Sequence, residues 1–183
     1  VTHDQTEEDA LAYKIAVMEN GDLKQLASPY KISAKPSNVF LASFIGEPPM
    51  NILKARINIS DNLLKSEVLN EQNEKTFSIN FKNENIFKEN LNKLKNDQLI
   101  ILGIRPHKIF FNKTETNFDG KARSSSYHWL GDQVHIGIEI NGSSIIGVAD
   151  RNFEPSTDVK LNFPLESINI FNIETEEVIL NGL

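Results

Sequence analysis

The 183 residues are 39% apolar and carry 25 acidic against 19 basic side chains, with no cysteine. A formal charge of −6 weighs against a general binder of phosphate backbones or anionic membrane surfaces, which needs concentrated Lys and Arg. Disulfides and thiolate metal sites are excluded, and the longest aliphatic run, residues 99–104, is far too short to cross a bilayer, which takes about 20 residues.

The chain opens on Val1-Thr2, which reads as the end of a strand. Asp4 follows as a helix N-cap, with Glu7 three residues later in capping-box position. With no element before Val1 to which it could belong, the start reads as a cut edge. His3 therefore sits at a strand-to-helix junction, where a side chain can point at a ligand bound beyond the strand's end. On position alone, an exposed terminal residue is the plainer reading. Residues 14–19 alternate apolar with polar, Asn20-Gly21 supplies a tight positive-φ turn, and residues 23–26 return, which predicts a β-hairpin. A helical turn is expected over 29–33, broken by Pro36. Asn38 then caps a helix over 39–45 whose Phe40, Leu41, Phe44 and Ile45 form one apolar face. Gly46 and the Pro48-Pro49 pair end it.

Beyond this seam the pattern changes to short strands, expected over 51–59, 65–69, 76–81, 99–104, 121–129, 133–140, 143–149, 159–163 and 168–171, with a short helix over 86–94. Asn141-Gly142 marks a second tight hairpin turn. Many short strands joined by turns argue for a small OB-like barrel, because closure removes exposed edges. The expected fold class is α+β, mainly β, with a head over 1–46 and a barrel over 47–183.

The head carries a resemblance in Val1-Thr2-His3-Asp4-Gln5, residues 14–18, Asn20-Gly21, Gln25, Pro29, Pro36, Asn38, Phe40 and Phe44-Ile45-Gly46-x-Pro48-Pro49-Met50-Asn51. In order and spacing these resemble the C-terminal part of the ATPase subunit of ABC carbohydrate importers, the maltose and multiple-sugar group. The body extends the likeness through Leu102-Gly103-Ile104-Arg105-Pro106, through Leu130-Gly131-Asp132 with Val134-His135-Ile136, and through Val159-x-Leu161 to Ile170-Phe171. Departures from the family pattern stand at Tyr13, Ala27, Lys31 and Ser33, and His107-Lys108 replace its Glu-His.

The resemblance implies the C-terminal remnant of an ABC nucleotide-binding domain followed by an OB-like accessory domain of the TOBE type, with regulatory and dimerising roles. It makes His3 the switch histidine, which contacts the γ-phosphate of ATP and helps hold the attacking water. An imidazole suits this role because phosphoryl transfer is catalysed chiefly by positioning and electrostatic stabilisation. It implies ATP and Mg as cofactors of the complete parent, and as partners a second ATPase subunit and membrane permease subunits. The location that follows is cytoplasmic and peripheral, at the inner face of the membrane through the permease. No phosphate loop, Ser-Gly-Gly-Gln signature or apolar run ending in Asp-Glu occurs in these residues; 142–147 has the glycine spacing, but Val148 stands where the lysine must be. This chain alone is expected neither to hold these cofactors nor to hydrolyse ATP.

Arg105, before Pro106, is the most distinctive charge of the body. Either it ties barrel to head or contacts a second subunit, or it is a surface cation at a strand end. His128, Asp132 and His135 could be imagined as metal ligands, but surface or structural histidines are the better reading, and no metal is expected. The rival function is a stand-alone OB-like module for an oligonucleotide, oligosaccharide or small oxyanion. Period-two counting places Lys121, Arg123, Tyr127 and Trp129 on one strand face, cations beside aromatics.

Overall fold

The computed structural model describes residues 13–61, 63–82, 85–86, 88–111, 116–154 and 156–183. The strand and helix expected at the very start, with His3, lie outside them. The first hairpin pairs β1 (Ile15–Glu19) with β2 (Asp22–Ala27), turning on Asn20 and Gly21 at φ 52° and 88°. Two short helices follow. In α1 (Pro29–Ala34) the Ser28 hydroxyl accepts from the Lys31 amide, and in α2 (Val39–Phe44) the Asn38 side chain accepts from the Leu41 amide at 2.9 Å. Each cap supplies an acceptor to an N–H that the helix cannot pair itself.

The body is mainly β. A seven-stranded antiparallel sheet runs in the order β15-β14-β6-β3-β4-β5-β8 and comprises β3 (Asn51–Ile59), β4 (Leu63–Leu69), β5 (Lys75–Lys82), β6 (Gln98–Ile104), β8 (Phe118–Asp119), β14 (Ile168–Asn172) and β15 (Val178–Asn181). A four-stranded sheet, β11-β10-β9-β12, is built from β9 (Ala122–Leu130), β10 (Gln133–Ile140), β11 (Ser143–Asp150) and β12 (Asp158–Val159). Between them β7 (Phe110–Phe111) pairs with β13 (Leu161–Asn162). Alternation does the folding work. Ala55, Ile57, Leu102 and Ile104 point inward from one sheet and Val134, Ile136, Ile138 and Ile140 from the other, all essentially buried in one core. The result is the expected α+β, mainly β architecture, three antiparallel sheets about one core with a small head of one hairpin and two short helices.

Besides the two-residue strands β7 and β8, for which no strand is expected, three elements depart from the sequence pattern. The strand expected over 159–163 is split, because the chain crosses from one sheet to another: Val159 pairs with Ala122 and Leu161 with Phe111. Val159, Leu161 and Phe163 are buried with period two throughout, so the pattern reports burial and not the change of partner. The helix expected over 86–94 shrinks to α3 (Lys88–Leu91), with Ile86 and Leu94 still buried at its flanks. β15 was not expected; its five-residue approach from Ile173 to Glu177 turns on Glu176 at φ 59° and is too polar to announce a hairpin.

Candidate functional site

The seam between head and body is built around Arg105. β6 ends at the buried Ile104, and Pro106 opens a turn of 3-10 helix (Pro106–Lys108), so the intervening arginine leaves the sheet in an extended conformation. Its guanidinium enters the head, and the residue is 5% exposed. Nε and Nη2 donate to the Ser33 carbonyl at 3.2 and 2.9 Å, and Nη1 donates to the Ala42 carbonyl at 3.1 Å and to that of Ile45. These carbonyls lie at the C-terminal ends of α1 and α2, where partial negative charge accumulates and the last C=O groups lack helical partners. One planar fork thus caps two helices from a third element, a geometry a lysine ammonium cannot match. Among the described residues no carboxylate pairs with it. Burial lowers its pKa to about 10, which leaves it charged at neutral pH.

The fit is close. Gly46 adopts φ +112°, and a Cβ there would stand 2.9 Å from Nη1. Around the arginine the seam has further ties. Asn51 at the start of β3 donates to the Ile104 and Ile146 carbonyls at 3.1 and 2.8 Å, and its Oδ1 accepts from the Ile146 amide at 2.7 Å, clamping β3 to the edge of β11. Ala42, Met50 and Phe171 form a small buried cluster. It presses so closely on Gly103 that a Cβ would meet Met50 Sδ at 2.5 Å and Phe171 at 2.8 Å. On the far side Val39 donates to the Glu176 carbonyl at 3.0 Å and Val178 to that of Ser37 at 2.9 Å, so the head also joins the last hairpin.

The apolar face of α2 is divided. Leu41 and Ile45 bury with Ile15, Val17, Ala27 and Ile32, while Ala42 turns to the body. Phe40 and Phe44 stack at 5.5 Å, and Phe44 remains 48% exposed. His107, just past Arg105, has its pKa lowered by burial first and then by Lys108 and Arg105. The arrangement ties head to body, and among the described residues it presents no nucleophile–base pair. The acceptors of Arg105 are main-chain carbonyls, which carry no sequence signal, and for that reason neither they nor the Asn51 clamp is legible in the sequence. Only the isolation of a charged Arg after an apolar strand pointed here.

The other expected groupings come apart or reassort. Ser126 pairs with Gly137 and Ser124 with Ile138, so Ser125 is an extra residue in β9. This bulge reverses the alternation. Arg123 stands opposite Glu139 and Asp158 on the outer face, whereas Tyr127 and Trp129 stand opposite the inward Ile136 and Val134. Contrary to the expectation from period-two counting, Arg123 does not share a face with Tyr127 and Trp129. His128 and His135 are direct cross-strand partners, and among the described residues no group of three or more His, Cys, Asp or Glu side chains could hold a metal.

No protein-family model matches the chain. Relatives do. The oligosaccharides import ATP-binding protein MsmX of Bacillus subtilis is 30% identical over 184 residues, 96% of this chain and 47% of that protein. The Fe(3+) ions import ATP-binding protein FbpC of Fusobacterium nucleatum is 29% identical over 189 residues, covering 100% of this chain and 46% of its own length. An uncharacterized ABC transporter ATP-binding protein of Escherichia coli, YcjV, is 27% identical over 178 residues, 96% of this chain and 46% of that one. Among solved structures the molybdate-bound form of the cytoplasmic molybdate-binding protein ModG covers 66% of this chain at 7% identity and a TM-score of 0.45. The chain spans about half the length of the curated relatives it matches. Over nearly all of its own length it is similar to the ATP-binding proteins of ABC importers.

Proposed function

We propose that this chain is the C-terminal portion of the ATP-hydrolysing subunit of an ABC sugar importer, the last elements of a nucleotide-binding domain joined at about residue 46 to a regulatory, TOBE-type barrel. The observation that carries the reading is the match to importer ATP-binding proteins across 96–100% of the chain. In this reading His3 contacts the γ-phosphate in the complete protein, where ATP and Mg are bound by residues upstream. Two such subunits close on ATP and drive permease subunits in the membrane, which places the protein at its cytoplasmic face. Among the described residues no helix is long and apolar enough to cross a membrane, as suits a subunit acting through a permease. The seam supports the regulatory part: Arg105 belongs to the barrel by chain position, and its contacts belong to the head.

The test is ATP hydrolysis by the full-length protein. Replacing His3→Ala is expected to lower the rate about 100-fold, the scale of removing one preorganised donor from developing charge, with the barrel still folded by circular dichroism. An unchanged rate would refute the assignment.

A further inference from the structure

The outer face of the four-stranded sheet brings two histidines together. His128 on β9 and His135 on β10 are separated in sequence by the turn at Gly131, yet the register makes them direct cross-strand partners. Val134 and Ile136 point into the core, so His135 and the residue opposite it point outward. Side chains directly opposite in an antiparallel pair have Cβ atoms about 4.5–5.5 Å apart, which lets two imidazoles close on one ion. His128 is exposed, so its ring can turn toward a ligand without disturbing the core. His135 is half-buried, and its Nε2 is covered without a hydrogen-bond partner. On its other side His135 faces the apolar Val148 of β11, so of the two residues opposite it only His128 can share a ligand with that nitrogen. A covered polar atom left unpaired costs free energy that a bound cation would recover.

We infer that His128 and His135 hold one divalent transition-metal ion of the zinc class on this face, with water in its remaining positions. Imidazole nitrogen selects zinc and its neighbours over calcium and magnesium, which take oxygen ligands. The local charge favours a cation. Arg123 is the single Lys or Arg in the four strands, and it stands opposite Glu139 and 3.9 Å from Asp158, while Asp150 adds a further carboxylate. Two protein ligands make an open and exchangeable site, weaker than a closed one of four, and among the described residues no larger cluster is present. The ion would staple β9 to β10 beyond the bulge at Ser125, where the ladder is interrupted. This inference stands apart from the transport reading, since it uses the sheet face alone.

Isothermal titration calorimetry of the metal-free 183-residue chain with zinc chloride tests it. Saturable binding of one ion per chain is expected at this site. His128→Ala and His135→Ala each leave a single imidazole and should weaken that binding about tenfold or more. Gln133→Glu adds a carboxylate beside His135 on the same face and should tighten it by about the same factor. Because His128 is exposed, His128→Ala should keep the wild-type circular dichroism and metal-free melting temperature, and it decides the matter alone should His135→Ala lose its fold. Zinc should raise the melting temperature of the wild type and leave that of His128→Ala nearly unmoved. No saturable binding up to about 1 mM zinc would overturn the inference. Binding unchanged in His128→Ala would overturn it too, by placing the ion adventitiously on other groups such as His3 or His107.

Discussion

Arg105 is a buried cation whose partners are all neutral. Charge-assisted hydrogen bonds are stronger than neutral ones and can offset desolvation, so the fork stabilises the seam only while its donors reach carbonyls on both helices. Arg105→Met leaves the acceptors of Ser33, Ala42 and Ile45 unsatisfied, and the expected loss is about 3 kcal/mol in denaturant unfolding. Arg105→Lys keeps the charge but cannot span both helices, so it should recover only a minor part of that loss. Its neighbour gives a pH signature. His107 has a depressed pKa when folded, so the unfolded chain binds its proton more readily; this contribution is whole above the ordinary histidine pKa and is lost as pH falls through and below it. Melting temperatures of wild type and His107→Gln measured downward from neutral pH should diverge, with the wild type falling more steeply. Parallel curves would contradict the cause assigned to the shift.

The long strands of the body lie where alternation put them, and β3 and β10 coincide with the sequence reading end to end. Alternation is legible because each residue reports burial by itself. Pairing is not, since it depends on which strand arrives opposite. The clearest cases are the divided segment at Val159 and Leu161 and the bulge at Ser125, which moved Tyr127 and Trp129 off the face of Arg123. Gly137 sits across from that bulge, where a Cβ would meet the Ser125 and Ser126 hydroxyl oxygens at 2.8 and 2.5 Å. At the seam, Gly103→Ala should cost about 1–3 kcal/mol by overpacking, because Met50 Sδ and the Phe171 ring occupy the space of its Cβ. Asn51→Leu removes the clamp from β3 to β11 and leaves the Ile146 amide and carbonyl without it; about 1–3 kcal/mol is expected, read by chemical denaturation.

At the scale of the whole molecule, the apolar cluster of the head is small among the described residues: Ile15, Val17, Ala27, Ile32, Leu41 and Ile45. The head leans on the body through Arg105, the Ala42–Met50–Phe171 contact and the two hydrogen bonds to the last hairpin. The sequence carried the position of this seam, through Asn38, Gly46 and the proline pair, and the family resemblance that gave it meaning. It could not carry the union of head and body, which rests on main-chain carbonyls and on a tail hairpin without a strong pattern. Under the proposed function, this union is the path by which the barrel would bear on the ATP site assigned to His3. Amide hydrogen exchange of the 183-residue chain, wild type against Arg105→Met, tests it most directly. Protection of the Leu41 and Ile45 amides should collapse in the variant while that of Ala55 and Leu102 in β3 and β6 persists. Retained protection in α2 would contradict the claim that Arg105 joins the two parts.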